Sequence, residues 1–187
     1  MGTKTKEDKV VARAQMRGFR ISESEHAEAS TIIRDALTAL ACWKSARTVL
    51  LFAPLPDEPD TFVLPRDGKR FCYPRYHADR GYEAALTDVP DELLPGKFGV
   101  LEPPPKALQI PASEIDLVVV PGLAFDKKCY RLGRGRGFYD QWLPALSGLK
   151  LGLGFDHQLI DRVPRETHDV QLDNVITPSH SVEVPYD

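Results

Sequence analysis

The chain has 187 residues, of which 42% are apolar and 27% charged, and a formal net charge of -3. That length suits one folded domain with a real core and is too short for two full catalytic domains. The charge excludes a chain drawn to nucleic acid by bulk positive potential, so any phosphate binding has to come from local basic residues.

After a charged start, residues 6–19 can form a helix. Ser22-Glu-Ser-Glu25 then reads as a capping box ahead of a second helix over residues 27–43. Ile32, Ile33, Ala36, Leu37 and Leu40 share one face of that helix, which should pack on a sheet. Residues 48–54 form a short apolar run closed by proline, and residues 70–74 form another. With a short helix expected over residues 60–64, the pattern is a β-α-β rhythm. The stretch 77–111 is dense in Pro and Gly and predicts an irregular insertion of loops and at most an irregular strand pair lying over the sheet. Residues 116–121 are the clearest buried strand, because Leu117-Val-Val-Val120 leaves no face for water. A helix over 138–146 and strands over 150–155 and 174–177 complete the expectation. The fold class is α/β: one domain in three layers, with a mostly parallel central sheet and Rossmann-like architecture. No internal repeat, low-complexity tract or linker divides the chain.

Cys42, Cys72 and Cys129 are odd in number and lack the paired spacing of a zinc or disulfide framework, as expected in a reducing cytosol. No apolar run approaches the roughly 18 residues of a membrane span, and the first nine residues lack a signal-peptide hydrophobic region. His157, His168 and His180 form no zinc spacing. Nothing near Cys129 in sequence marks it as a nucleophile.

The informative segment is Arg131-Leu-Gly-Arg-Gly-Arg-Gly-Phe-Tyr-Asp140. Glycines at alternate positions let the backbone turn its N–H groups toward a ligand, and three arginines add full charges suited to a polyanion. The helix that follows would add its N-terminal dipole. The spacing is neither a Walker A loop nor a dinucleotide fingerprint. Its placement after a buried strand is where open α/β sheets bind ligands; taken alone, the loop is equally a solvated turn.

Val120-Pro-Gly-Leu-Ala-Phe-Asp126 followed by the segment 131–140 resembles the signature of 5-formyltetrahydrofolate cyclo-ligases, also called methenyltetrahydrofolate synthetases. The resemblance continues in order at Lys9 and Arg13, Glu58-Pro-Asp-Thr61, Pro74-Arg-Tyr76, Glu102-Pro103, Gln158, Val163-Pro164 and His168-Asp169. It implies a cytoplasmic ligase that couples ATP cleavage to closure of 5-formyltetrahydrofolate, with or without a polyglutamate tail, into 5,10-methenyltetrahydrofolate. Magnesium would assist, and neither nucleic acid nor membrane would be a partner. A monomer is expected.

By the same resemblance Lys9, Arg13, Arg131, Leu132, Gly133, Arg134, Gly135, Arg136, Gly137, Phe138 and Tyr139 contact ATP. Ala53, Glu58 and Tyr139 contact the folate, and Glu58, Arg131 and Tyr139 act in catalysis. Asp140 and Asp169 hold the metal, with Asp173 as rival for the second position. Arg75 and His77 are left as possible partners of the folate carboxylates. Pro59 and Phe138 depart from the family pattern, which favours a branched aliphatic residue and often a tyrosine there. Two rivals remain: a folate- or nucleotide-binding homologue without turnover, and an α/β enzyme acting on phosphorylated sugars or CoA.

Overall fold

The computed structural model describes residues 2–66 and 68–184. Helix α1 (Gly2–Met16) lies apart from the main sheet. Helix α2 (Glu23–Ala39) starts where the capping box places it: Ser22 Oγ accepts the Glu25 N–H, and Glu25 Oε2 accepts the Ser22 N–H at 2.8 Å. It ends at Leu40, which turns extended, and a separate short helix α3 (Ala41–Ser45) swings Trp43 into the core. The single helix expected over 27–43 is therefore two. Ile33 and Leu37 are buried as expected, whereas Ile32 is 42% exposed: it sits one residue, about 100°, off the buried stripe.

Strands β1 (Thr48–Leu50) and β2 (Arg70–His77) run parallel. Among its described residues the crossover between them contains no helix. Thr61 Oγ1 donates to the Phe52 carbonyl at 2.7 Å, and Asp60 Oδ1 accepts the Phe62 N–H at 2.8 Å. These local side-chain bonds stabilise turns in place of a helical ladder.

The Pro/Gly-rich stretch also departs from expectation. A turn with Gly81 at φ 79° reverses the chain into β3 (Gly81–Leu86), which pairs antiparallel with Cys72 to His77 of β2. The segment then makes a small hairpin of β4 (Leu94–Pro95) and β5 (Leu101–Glu102) before β6 (Gln109–Ile110) pairs with β3. Strands β3 and β6 widen the sheet, because the prolines fall outside residues 81–86 and leave them free to pair. The β4–β5 hairpin is the strand pair expected over the sheet, with Leu93, Val100 and Leu101 packed in the cluster of Phe71 and Tyr73.

Strand β7 (Leu117–Pro121) is central. It is followed by β8 (Ala124–Asp126) and β9 (Arg131–Leu132), then helix α4 (Phe138–Trp142) and β10 (Leu149–Leu153). Strands β11 (Leu159–Ile160), β12 (Asn174–Ile176) and β13 (Ser181–Glu183) end the described chain. The main sheet has the order β13-β12-β10-β7-β1-β2-β3-β6; its five inner strands, β12 to β2, are parallel and its outer ones antiparallel. Among the parallel strands the order reverses between β1 and β7, which makes that crevice the expected ligand position.

The pleat sorts the core into two faces. Val49, Leu51, Leu117, Val119, Leu151 and Leu153 meet α2 and α3, while Leu50, Val118, Val120 and Val175 meet Leu143 and Leu146 beyond α4. Gly152 is needed on the second face: a Cβ there would lie 2.6 Å from the ring of Phe125. A third cluster joins Ala12 and Met16 of α1 to Leu123, Ala124, Leu132 and Val163 beside the small β11-β8-β9 sheet. No helix among the described residues is long and apolar enough to cross a membrane.

Candidate active site

The glycine-rich loop bridges β9 and α4 at the carboxyl end of β7. Gly135 (φ 103°) and Gly137 (φ 69°) adopt the left-handed conformation that side chains disfavour. At Gly133 a Cβ would stand 2.8 Å from Arg131 Nη1. Helix α1 straps the loop, with Arg13 Nε donating to the Gly133 carbonyl at 2.9 Å and Arg17 Nη2 to the Arg134 carbonyl at 3.1 Å. Helix α4 is a single turn, so the dipole contribution expected from it is small.

Three arginines of the loop point to three places. Arg131 is buried and pairs with Asp140 Oδ1 at 2.7 Å, with its guanidinium 5.2 Å from the centre of the Tyr139 ring. Arg134 reaches across to Asp57 at 2.6 Å and Glu58 at 2.8 Å. Arg136 lies over the Phe98 ring at 3.9 Å. Under them is a cavity of about 190 Å³ that includes Ala53, Glu58, Pro121 and Gly122, at the ends of β1 and β7 where the strand order reverses. It is smaller than the roughly 300–1,000 Å³ of pockets that enclose a whole small ligand, so it has room for one end of such a ligand.

Glu58 is the buried carboxylate of this cavity. Burial pushes its pKa up, and the Arg134 guanidinium pulls it partly back. The Leu55 N–H reaches Oε2 at 3.0 Å, so both carboxylate oxygens are engaged. Burial, together with the charge of Glu58, drives the Tyr139 phenol pKa upward, which keeps its proton in place as a donor.

The opposite rim is aromatic. Phe138 packs at 5.2–5.4 Å from Tyr76, Tyr82 and Phe98. Phe98 is itself held at φ 65°, a conformation uncommon for a side chain of its size, and Lys97 sits 4.6 Å above Tyr76. Glu102 pins this rim by accepting the N–H groups of Tyr76 and Lys97 at 3.1 Å. Tyr82, Phe98, Arg17 and Asp57 were not picked out from sequence. The available signal was the aromatic content of the 76–98 stretch, which lies apart from the glycine loop along the chain.

Several expected contacts lie elsewhere. Leu132 is 1% exposed in the cluster under α1 and offers no side chain to a ligand. Lys9 and Asp169 meet each other at 2.7 Å, with Glu166 on the same ammonium at 3.1 Å, and Asp169 Oδ2 also accepts the Glu166 N–H. Lys9 and Asp169 do not line the cavity; they sit about one helical turn along α1 from Arg13. Asp173 is at the amino end of the sheet, accepting the Lys150 N–H at 2.7 Å, and is no partner for Asp140. Arg75 is spent on Glu83 and the carbonyls of Pro104 and Ala107, and His77 on Glu83. Cys129 is buried, its Sγ faces the Val182 carbonyl at 3.3 Å, and burial pushes the thiol up to about 11, so it is no nucleophile.

For magnesium the fit is to one carboxylate. Among the described residues no group of three or more His, Cys, Asp or Glu gathers to hold a metal. Asp140 is half-buried on the cavity wall with Arg131 on one oxygen. Magnesium commonly takes one or two carboxylates and fills its shell with water and phosphate, so Asp140 suits it. Asp169, neutralised by Lys9, does not complete the pair expected from sequence.

A 5-formyltetrahydrofolate cyclo-ligase family model matches residues 5–178. A protein of Mycolicibacterium smegmatis named 5-formyltetrahydrofolate cyclo-ligase is 35% identical over 149 residues, covering 74% of this chain and 77% of that one. Its Escherichia coli K12 namesake is 35% identical over 144 residues, covering 72% and 79%. Among solved structures, the 5,10-methenyltetrahydrofolate synthetase of Aquifex aeolicus superposes with a TM-score of 0.83 at 27% identity, over 98% of this chain and 94% of that one. With the family model matching residues 5–178 and two relatives 35% identical over more than two thirds of this chain and of their own length, the chain belongs to the 5-formyltetrahydrofolate cyclo-ligase family.

Proposed function

We propose that this cleft closes 5-formyltetrahydrofolate into 5,10-methenyltetrahydrofolate at the expense of ATP. The observation that carries the proposal is the junction at Arg134, where a loop built for phosphate touches a buried carboxylate in a pocket edged by aromatic rings. A formamide oxygen is a very poor leaving group. Transfer of the γ-phosphoryl group to that oxygen breaks the bond to ADP and leaves an iminium phosphate. N10 then attacks the iminium carbon, loses its proton, and phosphate departs with the former formyl oxygen.

Such a transfer needs position and charge neutralisation more than covalent chemistry from the protein. Arg131, Arg134, Arg136 and Arg13, with the N–H groups of the glycine loop, hold the phosphates. The aromatic rim holds the pterin and excludes water. Glu58 faces the formyl end, and Tyr139, kept protonated, donates a hydrogen bond where the two substrates meet. Asp140 would hold magnesium, which neutralises phosphate charge when bound. The expected contact of Lys9 with phosphate requires it to leave Asp169 and Glu166. The free thiols Cys42, Cys72 and Cys129 suit the cytosol as the place of reaction.

The test is incubation of the purified protein with 5-formyltetrahydrofolate, ATP and magnesium while methenyltetrahydrofolate absorbance is followed. ATP-dependent product is expected. Binding of both ligands without product would instead identify a homologue that has lost turnover.

A further inference from the structure

The Glu58 carboxylate is only as well placed as segment 54–62, which has no regular secondary structure. Local bonds shape its first half: the Glu58 N–H closes a turn onto the Leu55 carbonyl at 2.9 Å, and its carboxylate returns to the Leu55 N–H. Arg134 holds the Asp57 and Glu58 carboxylates from the loop side, and Thr61 anchors to the Phe52 carbonyl. Two side chains of α2 hold the backbone between these points. His26 Nε2 lies 2.9 Å from the Glu58 carbonyl oxygen and, facing a carbonyl, acts as the donor. Ser30, only 2% exposed, accepts the Asp60 N–H on Oγ at 3.0 Å.

The geometry has three features of a built clamp. His26 and Ser30 are four residues apart and share one face of the helix. The two groups they hold flank Pro59, which has no N–H of its own to anchor the segment. The imidazole is braced from behind by Phe155, ring centres 5.2 Å apart, and the Ser22–Glu25 capping box secures the helix turn just before it.

We propose that His26 and Ser30 are positioning residues that aim the Glu58 carboxylate into the cleft from the opposite side of segment 54–62. This rests on Glu58 facing the formyl end of the substrate. Neither residue lines the cavity beneath the glycine loop.

The experiment compares His26→Phe, His26→Gln, Ser30→Ala, Glu58→Gln and the double variant His26→Phe/Glu58→Gln by steady-state kinetics, with thermal unfolding of each. Phenylalanine keeps the ring against Phe155 and loses the donor; glutamine keeps a donor. His26→Phe should lower kcat about tenfold or more, since displacement of a reacting group by about 1 Å can cost about 100-fold. The KM for ATP should stay unchanged. His26→Gln should recover most of the loss, Ser30→Ala should act in the same direction, and the double variant should be no slower than Glu58→Gln alone. Full kcat in His26→Phe beside an impaired Glu58→Gln overturns the clamp. A loss in His26→Phe that glutamine does not rescue, accompanied by a lowered unfolding midpoint, assigns His26 to packing and also overturns it. Wild-type kinetics in Glu58→Gln would overturn the role of Glu58 itself.

Discussion

The basic rim of the cleft, residues 131–140, is continuous in sequence and built on charge, whereas the aromatic rim gathers Tyr76, Tyr82 and Phe98 from two strands and a turn. Both meet at Phe138 and Arg136. In the first rim the glycines set the path and the arginines are distributed by their partners: Asp140, the Asp57–Glu58 pair and the Phe98 ring. In the second the backbone is fixed by strand pairing and by Glu102, and the side chains supply flat apolar surface. A charged rim can follow a polyanion through a reaction, while rings held by packing can hold only a shape. In the proposed reaction the first rim takes phosphate and the second the pterin.

The sharpest way to break that division is Arg131→Ala. Removing one buried donor aimed at developing charge costs on the order of 100-fold or more. The loss should appear in kcat/KM for ATP, with the KM for 5-formyltetrahydrofolate little changed; equal losses toward both substrates would erase the distinction between rims.

Asp140→Asn should lower turnover about tenfold at limiting magnesium and recover as magnesium is raised, because a neutral amide is a weaker ligand for a hard cation. Turnover unchanged under limiting magnesium would remove Asp140 from that role. Phe98→Ala tests the aromatic rim from its own side. Loss of one ring face worth about 1 kcal/mol predicts a roughly fivefold to tenfold rise in KM for the folate. The KM for ATP should move less, with Arg136 losing only its stacking partner.

Gly137→Ala addresses the backbone of the basic rim. At φ 69° an added Cβ costs about 1–2 kcal/mol, measured as a lowered unfolding midpoint, with no clash against the rest of the chain to add to it. The smallest effect is expected away from both rims, at the amino end of the sheet. Asp116 accepts the N–H groups of Thr48 and Arg47 at 2.8 Å, which holds its pKa below the usual carboxylate range. Its stabilising effect is present above the unfolded-state value of about 4 and is lost as pH falls through the lower folded-state value. Asp116→Asn should therefore cost under about 1 kcal/mol at neutral pH, given its exposure, and nothing in strong acid, with catalysis unaffected. A kinetic defect there would show that the ends of the sheet are coupled.

Parts of the molecule were legible because their signals are local. The capping box Ser22–Glu25 needs four residues, and β7 needs only its own apolar run. The glycine loop carries glycine, charge and spacing in ten consecutive positions. Strand β3 was not legible, because Tyr82-Glu-Ala-Ala85 has no apolar alternation. It is a strand because the turn at Gly81 folds it onto β2 and because Arg75 and His77 of that neighbour pair with Glu83 Oε1. The helix expected at 60–64 failed for the converse reason: Asp60 and Thr61 satisfied the backbone through their own side chains.

Sequence by itself determined the α/β class, the central strand, the glycine–arginine loop and the family to which the chain belongs. These follow from propensity, periodicity and contiguous motifs, which do not require the chain to be folded. Only the tertiary structure decided which charges meet. It joined Arg134 to Glu58 across 76 positions and Lys9 to Asp169 across 160, and it set His26 beneath the Glu58 carbonyl. A charged side chain carries no mark of its partner in sequence. The pairing is fixed by where the sheet order brings strand ends and helix faces together, and by the cost of leaving a buried charge alone.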